Sequence, residues 1–180
     1  MYYYLIDKTI DYFIEDLTNI PRISPNQKSG VSIIDPKLFL NKKAYEILSK
    51  LGYLHCLIFE QYPFYNKGVI HLDLDTTLTP YWPCLNIILQ GQGVMRWFDP
   101  VCPGTLIDKG VGPYYKIWKD SLKGKILSEW NKGKIAIVRT DIPHQAYNYD
   151  ESIRIAVSVR WSNRYTFDET ITFFKDHFDV

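Results

Sequence analysis

The sequence predicts an α+β fold, a jelly roll of two facing sheets with N-terminal helices packed outside it. Three observations carry that expectation. Apolar residues recur at helical spacing over the first fifty positions and at strand spacing from Tyr53 onward. About eight short strands then succeed one another without intervening helices, the order of an α+β chain rather than a doubly wound sheet. Aromatics reach 16%, which favours β structure around an aromatic-lined interior.

Taken in order, Ile10, Phe13, Ile14 and Leu17 fall at i, i+3, i+4 and i+7 and predict a helix that Pro21 stops. Residues 21–34 are rich in Pro, Ser, Asn and Gly and read as a loop. Asp35-Pro36 supplies a cap and a helix-compatible first residue. Leu40, Ala44, Ile47, Leu48 and Leu51 form the stripe of a second helix that Gly52 ends. The expected strands are Leu54–Glu60, Gly68–Asp73, Cys84–Gln90, Val94–Phe98, Ile126–Trp130, Lys134–Arg139, His144–Asn148 and Ile153–Trp161.

These elements make one domain over 1–180, with a mainly helical support at 1–52 and a jelly-roll core at 53–162. Residues 100–125, punctuated by Pro and Gly, read as a lid insertion, and 163–180 as a C-terminal tail.

Charge nearly cancels, at +1, so bulk electrostatics argues neither for nor against a nucleic acid or nucleotide partner. A local excess stands out at 109–134, where seven Lys face Asp120 and Glu129. It reads as a solvated face, or as a patch that attracts an acidic substrate. Cys56, Cys84 and Cys102 form no CxxC pair and read as reduced thiols. No run of eighteen apolar residues occurs, and Met1 to Lys8 lacks a signal peptide's basic start and apolar core. The expectation is a cytoplasmic protein without a membrane partner; its oligomeric state is left open.

The chemistry gathers at His71, Asp73 and His144. On a strand, residues i and i+2 point the same way with Cα atoms about 6.5–7 Å apart. Both His71 and Asp73 can therefore reach one metal, with His144 supplied by another strand after the Pro143 turn. Two His and one carboxylate form the facial set that holds non-haem Fe(II) with open positions. The bland readings are a strand-end His bonded to a nearby carboxylate, and a satisfied core histidine at 144.

Along Ile153–Trp161, Ile153, Ile155, Val157, Val159 and Trp161 share one face, and Arg154, Ala156, Ser158 and Arg160 the other. If the apolar face packs on the helices, the arginines turn inward, where an unpaired charge is expensive. A dicarboxylate co-substrate would relieve that cost through a bidentate pair. The opposing reading is the solvent side of an edge strand.

The runs Val69-Ile-His71-Leu-Asp73, Trp82-Pro-Cys-Leu-Asn86-Ile-Ile-Leu and Met95-Arg-Trp-Phe98 resemble the first half of an Fe(II)/2-oxoglutarate-dependent oxygenase. The nearest branch is the small prolyl-hydroxylase- and phytanoyl-CoA-hydroxylase-like one of bacteria and phages. Asp141-Ile-Pro-His144-Gln-Ala-Tyr-Asn148 and Arg154-Ile-Ala-Val-Ser-Val-Arg160-Trp resemble its second half, so the likeness spans roughly 55–162.

The resemblance implies a double-stranded β-helix and an enzyme that couples decarboxylation of 2-oxoglutarate to C–H oxidation. Its substrate would be a small molecule or a side chain, with molecular oxygen as oxidant. Iron would lie on His71, Asp73 and His144, and Arg154 would bind 2-oxoglutarate with Arg160 as its rival. Ser158 and Asn86 are further candidates on inward faces. Some members carry a Ser two positions after the Arg, where this chain has Ala156.

Two other readings compete. Gly133, Pro143, His144 and Asn148 are also similar to the second segment of cupins, metal-dependent isomerases or small-molecule-binding proteins among them. Their first segment usually has two His and a Glu, and His55 reads as core rather than as the missing ligand. A non-catalytic jelly-roll module would keep His71, Asp73 and His144 apart.

Overall fold

The computed structural model describes residues 1–15, 18, 29–64, 70–74, 83–101, 103–107, 114–118 and 124–180. Twelve strands are described: β1 (Tyr3–Leu5), β2 (Ser29–Ile34), β3 (Leu54–Gln61), β4 (Ile70–Leu74), β5 (Cys84–Gln90) and β6 (Val94–Asp99), then β7 (Thr105–Ile107), β8 (Tyr114–Trp118), β9 (Lys125–Trp130), β10 (Ile135–Val138), β11 (His144–Tyr147) and β12 (Arg154–Trp161). The α-helices are α1 (Pro36–Phe39), α2 (Lys42–Leu48) and α3 (Phe167–Phe178).

The strands form two six-stranded sheets, ordered β1-β10-β5-β12-β3-β2 and β7-β8-β4-β11-β6-β9. From β3 the chain passes to β4 in the opposite sheet, back to β5, across to β6, and after β9 repeats the crossing through β10, β11 and β12. That winding is a double-stranded β-helix of the cupin or jelly-roll type, and every strand pair among the described residues is antiparallel.

The alternation of β12 sets the layers. Ile155, Val157, Val159 and Trp161 pack outward into a core shared with Phe39, Ala44, Leu48, Phe174 and Phe178 of the helices. Ala156, on the inward face, joins Cys84, Ile88, Met95, Trp97 and Trp130 between the sheets. The parity read from the sequence holds, with the helices on the outer side of the sheet that contains β12.

The N-terminal third is less helical than its periodicity predicts. Of the expected first helix, the described residues form one 3-10 turn, Ile10–Tyr12. The Asn41 side chain donates to the carbonyls of Asp11 and Tyr12 at 3.1 and 2.9 Å, and its backbone N–H donates to Phe13 O. With those acceptors taken, the turn does not propagate; Leu17 lies outside the described residues. The same Asn41 caps α2 through Ala44 N at 2.8 Å, which splits the expected second helix in two.

Three further differences concern segments read as loop, lid and tail. Residues 29–34 are an edge strand, paired over six residues with β3, because tertiary pairing overrides a weak local preference. Within 100–125, β7 and β8 extend the sheet that contains β4, and β8 pairs directly with β4. The C-terminal segment contains α3, started by a capping box between Thr166 and Glu169 and buried along Phe167, Thr170, Ile171, Phe174 and Phe178. None of the helices among the described residues is long and apolar enough to cross a membrane.

Candidate metal centre

β4 and β11 are neighbours in one sheet, and their register sets His144 directly opposite His71. The two imidazoles lie 4.3 Å apart between centroids. Strand alternation carries Asp73 to the same side as His71, with His71 Nε2 3.6 Å from Asp73 Oδ1. One donor atom from each of the three residues lies within 4.8 Å of the others. The sequence-predicted triad therefore converges.

The donors suit a divalent ion. Asp73 is fully buried, and its Oδ1 makes no hydrogen bond. A buried polar atom without a partner is rare and costs about 1–3 kcal/mol, so it marks a place for a ligand. His144 Nδ1 lies 2.8 Å from Ile142 O, so Nδ1 carries the proton and Nε2 is free to ligate.

Protonation points the same way. Burial pushes the Asp73 carboxyl up, but Arg160, His71 and His144 outweigh it and hold the group at about 2. Burial, reinforced by His71, lowers the His144 imidazole to about 4. At neutral pH the pair is a carboxylate and a neutral imidazole, the forms a metal requires.

The inward row of β12 brings its two arginines to different settings. Arg160 Nη2 donates to Asp73 Oδ2 at 2.5 Å, and its Nε donates to Ser158 Oγ at 3.4 Å. Ser158 Oγ donates onward to Cys84 Sγ at 3.2 Å, and Cys84 Sγ to Asn86 Oδ1 at 3.5 Å. Ser158 and Asn86, both candidates from the sequence, are thus linked to the triad through Arg160. Cys84, which the sequence marks only as a reduced thiol, is the link between them.

Arg154 stands six residues away, its Cα about 20 Å from that of Arg160 along the strand. Its Nη1 donates to Gln61 Oε1 at 3.1 Å, while its buried Nε has no partner. Among the described residues no carboxylate pairs with it, and burial lowers it to about 10. A Cβ at Gly93 would overlap its side chain, so a glycine in the β5–β6 turn makes room for it.

Between these ends the inward-facing His71, Asn86, Ala146, Leu57 and Phe59 keep partial exposure, so solvent reaches between the sheets along this row. Gln61, which sequence reasoning misses, spans that space: it accepts from Arg154 and donates to Ala146 O at 3.3 Å. It falls one residue beyond the expected end of its strand, where no local signal distinguishes it.

Two expectations need correction or limit. His55 is not core; it is exposed, with its ring edge-on to Tyr53, because it shares the inward parity of Leu57 and Phe59 at the open end of β3. Of the lysine excess, Lys125, Lys132 and Lys134 are exposed, while Lys109, Lys119 and Lys123 lie outside the described residues, as do Gly68, Val69, Trp82 and Cys102. A separate surface groove lined by Gln92, Gly93, Val94, Asn131, Lys132, Tyr149 and Asp150 contains none of the three ligands.

A scan against protein-family models and a search of curated proteins return no match. Solved structures do align. The coconut allergen cocosin is 16% identical, with 74% of this chain and 28% of that chain covered and a TM-score of 0.39. Recombinant oxalate oxidase in complex with glycolate is 13% identical, covering 88% of this chain and 63% of that one, with a TM-score of 0.40. E. coli ycfD is 18% identical over 74% of this chain and 32% of that one, also with a TM-score of 0.40. The chain thus spans less than two thirds of the length of each of these proteins.

Proposed function

We propose that this chain is a metal-dependent enzyme in which His71, Asp73 and His144 hold a divalent ion between the two sheets. The observation that carries this reading is the convergence of the three donors, with Asp73 Oδ1 buried among them and making no hydrogen bond. A non-catalytic module required the three to stand apart, and they stand together.

Within that reading, the chemistry we infer is that of an Fe(II)- and 2-oxoglutarate-dependent hydroxylase. Two imidazoles and one carboxylate leave open positions on the ion. The buried Arg154 guanidinium supports a co-substrate bearing a carboxylate, which would supply the partner it lacks. When bound, the metal and the oxo acid would supply oxygen activation. The chain's own part is to hold donors in their metal-binding protonation states, to seat the carboxylate on Arg154 and to limit water between the sheets.

A second reading keeps the metal and drops the co-substrate, giving a cupin-like isomerase or small-molecule-binding protein. It asks only for a double-stranded β-helix and a converged triad, both of which are observed, and so stands closer to the observations than oxygenase chemistry does. The two separate in one experiment. Fe(II) and 2-oxoglutarate, added anaerobically, should produce a weak visible charge-transfer band, and oxygen should then drive 2-oxoglutarate turnover. Metal binding with neither signal establishes the cupin-like reading; no metal binding sinks both.

A further inference from the structure

Arg160 holds one oxygen of Asp73 and leaves the other alone, an asymmetry whose consequence for ligation rests on the proposed metal site. Nη2 of Arg160 donates to Oδ2 at 2.5 Å. Oδ1 makes no hydrogen bond and is the oxygen near His71 Nε2. An untethered carboxylate can turn about its Cβ–Cγ bond and offer a cation either oxygen or both. With Oδ2 tied, Oδ1 is the oxygen left beside His71 Nε2.

The tether is itself anchored. Arg160 is on β12 in one sheet and Asp73 on β4 in the other, so the ion pair spans the two layers. Ser158 receives the Arg160 Nε and is in turn bonded to Cys84 on the adjoining strand β5. The guanidinium has a fixed fork, with Nε directed along its own strand and Nη2 across the cleft, a geometry no ammonium reproduces.

We propose that Arg160 is a positioning residue that fixes Asp73 for ligation of the metal through Oδ1 alone. In this role it does not serve as the co-substrate anchor. Two effects oppose each other at such a residue. A positive charge beside a divalent ion weakens binding by repulsion, whereas a partner that orients a ligand strengthens it, typically by about 10–100-fold. The sign of the change on removing Arg160 decides between them.

Co(II), whose visible bands report coordination number and geometry, is the probe. It is titrated into metal-free wild-type protein, Arg160→Ala and Arg160→Lys, with absorption recorded and circular dichroism as the check on folding. We expect Arg160→Ala to bind about 10–100-fold more weakly with displaced bands. Arg160→Lys should fall between the two, since it keeps the charge without the fork. Binding as tight as wild type or tighter, with unchanged bands, overturns the proposal, because the arginine then only repels. Wild-type protein that binds neither Co(II) nor Fe(II) removes the metal reading and the tether with it. Should Arg160→Ala not fold, Ser158→Ala and Arg160→Lys decide the matter. Displaced bands in either support the tether, and wild-type bands in both overturn it.

Discussion

Arg154 and Arg160 share one face of one strand and are both buried, at 3% and 9% exposure, yet their surroundings differ in kind. Arg160 lies against Asp73, and the two opposite charges pair across the sheets. Among the described residues, Arg154 has the neutral side-chain oxygen of Gln61 as its hydrogen-bond acceptor and no carboxylate, and its Nε makes no hydrogen bond. The fold supplies the first arginine with a countercharge. It leaves the second carrying a desolvated charge that a ligand would complete, so the two ends of β12 separate what the apo protein needs from what a bound molecule needs.

The sharpest way to break this comparison is stability. In metal-free protein, Arg160→Met should strand the Asp73 carboxylate and cost about 3–5 kcal/mol, whereas Arg154→Met should be neutral or stabilise by on the order of 1 kcal/mol. Urea denaturation measures both, and equal losses would remove the distinction.

Acid tests the paired end next. His144 is lowered from 6.5 to about 4 in the fold, so the unfolded chain binds the extra proton first. Its contribution is fully present above pH 6.5 and is lost as pH falls towards 4, up to about 3 kcal/mol for metal-free protein. Asp73, held at about 2, adds a second loss below pH 3.8. A His144→Ala variant should flatten the upper window; a wild-type stability that stays level from pH 6.5 to 4 contradicts the assignment.

The unpaired end is tested by ligand. Arg154→Ala should weaken 2-oxoglutarate binding by about 1.5–3 kcal/mol, a charged hydrogen-bonded pair, and leave Co(II) affinity within about twofold. Calorimetric titration gives both numbers, and a variant that binds the oxo acid normally moves the anchor elsewhere. The smallest expected effect is at Gly93→Ala. The new methyl group displaces the flexible Arg154 side chain rather than backbone, so the oxo acid should lose only several-fold in affinity, about 1 kcal/mol. Weakened metal binding there, rather than weakened oxo-acid binding, would show that Arg154 and the triad act as one unit.

Much of the site is legible in sequence because strands carry their own geometry. The spacing of His71 and Asp73 guarantees a shared side, Pro143 marks the start of β11 at His144, and the alternation from Ile153 to Trp161 separates the core face from the cleft face. The C-terminal segment reads as a tail, although Thr166-x-x-Glu169 and the apolar stripe behind it carry the signal for α3. β2 has no such signal, since its Ser- and Gly-containing run becomes a strand only by pairing with β3. The N-terminal helix fails for the opposite reason: its periodicity is real, but Asn41 from about thirty residues away takes the carbonyls that would propagate it.

By itself, then, the sequence determined which residues face inward and which chemistry their types allow, because parity along a strand is a local property. Which of those residues meet was decided only by tertiary structure. The register of β11 against β4 brings His144 to His71, and the crossing between sheets gives Asp73 to Arg160 while leaving Arg154 to a neutral amide. Partners of that kind come from other strands, in one case from the opposite sheet, and no spacing within a single strand encodes them.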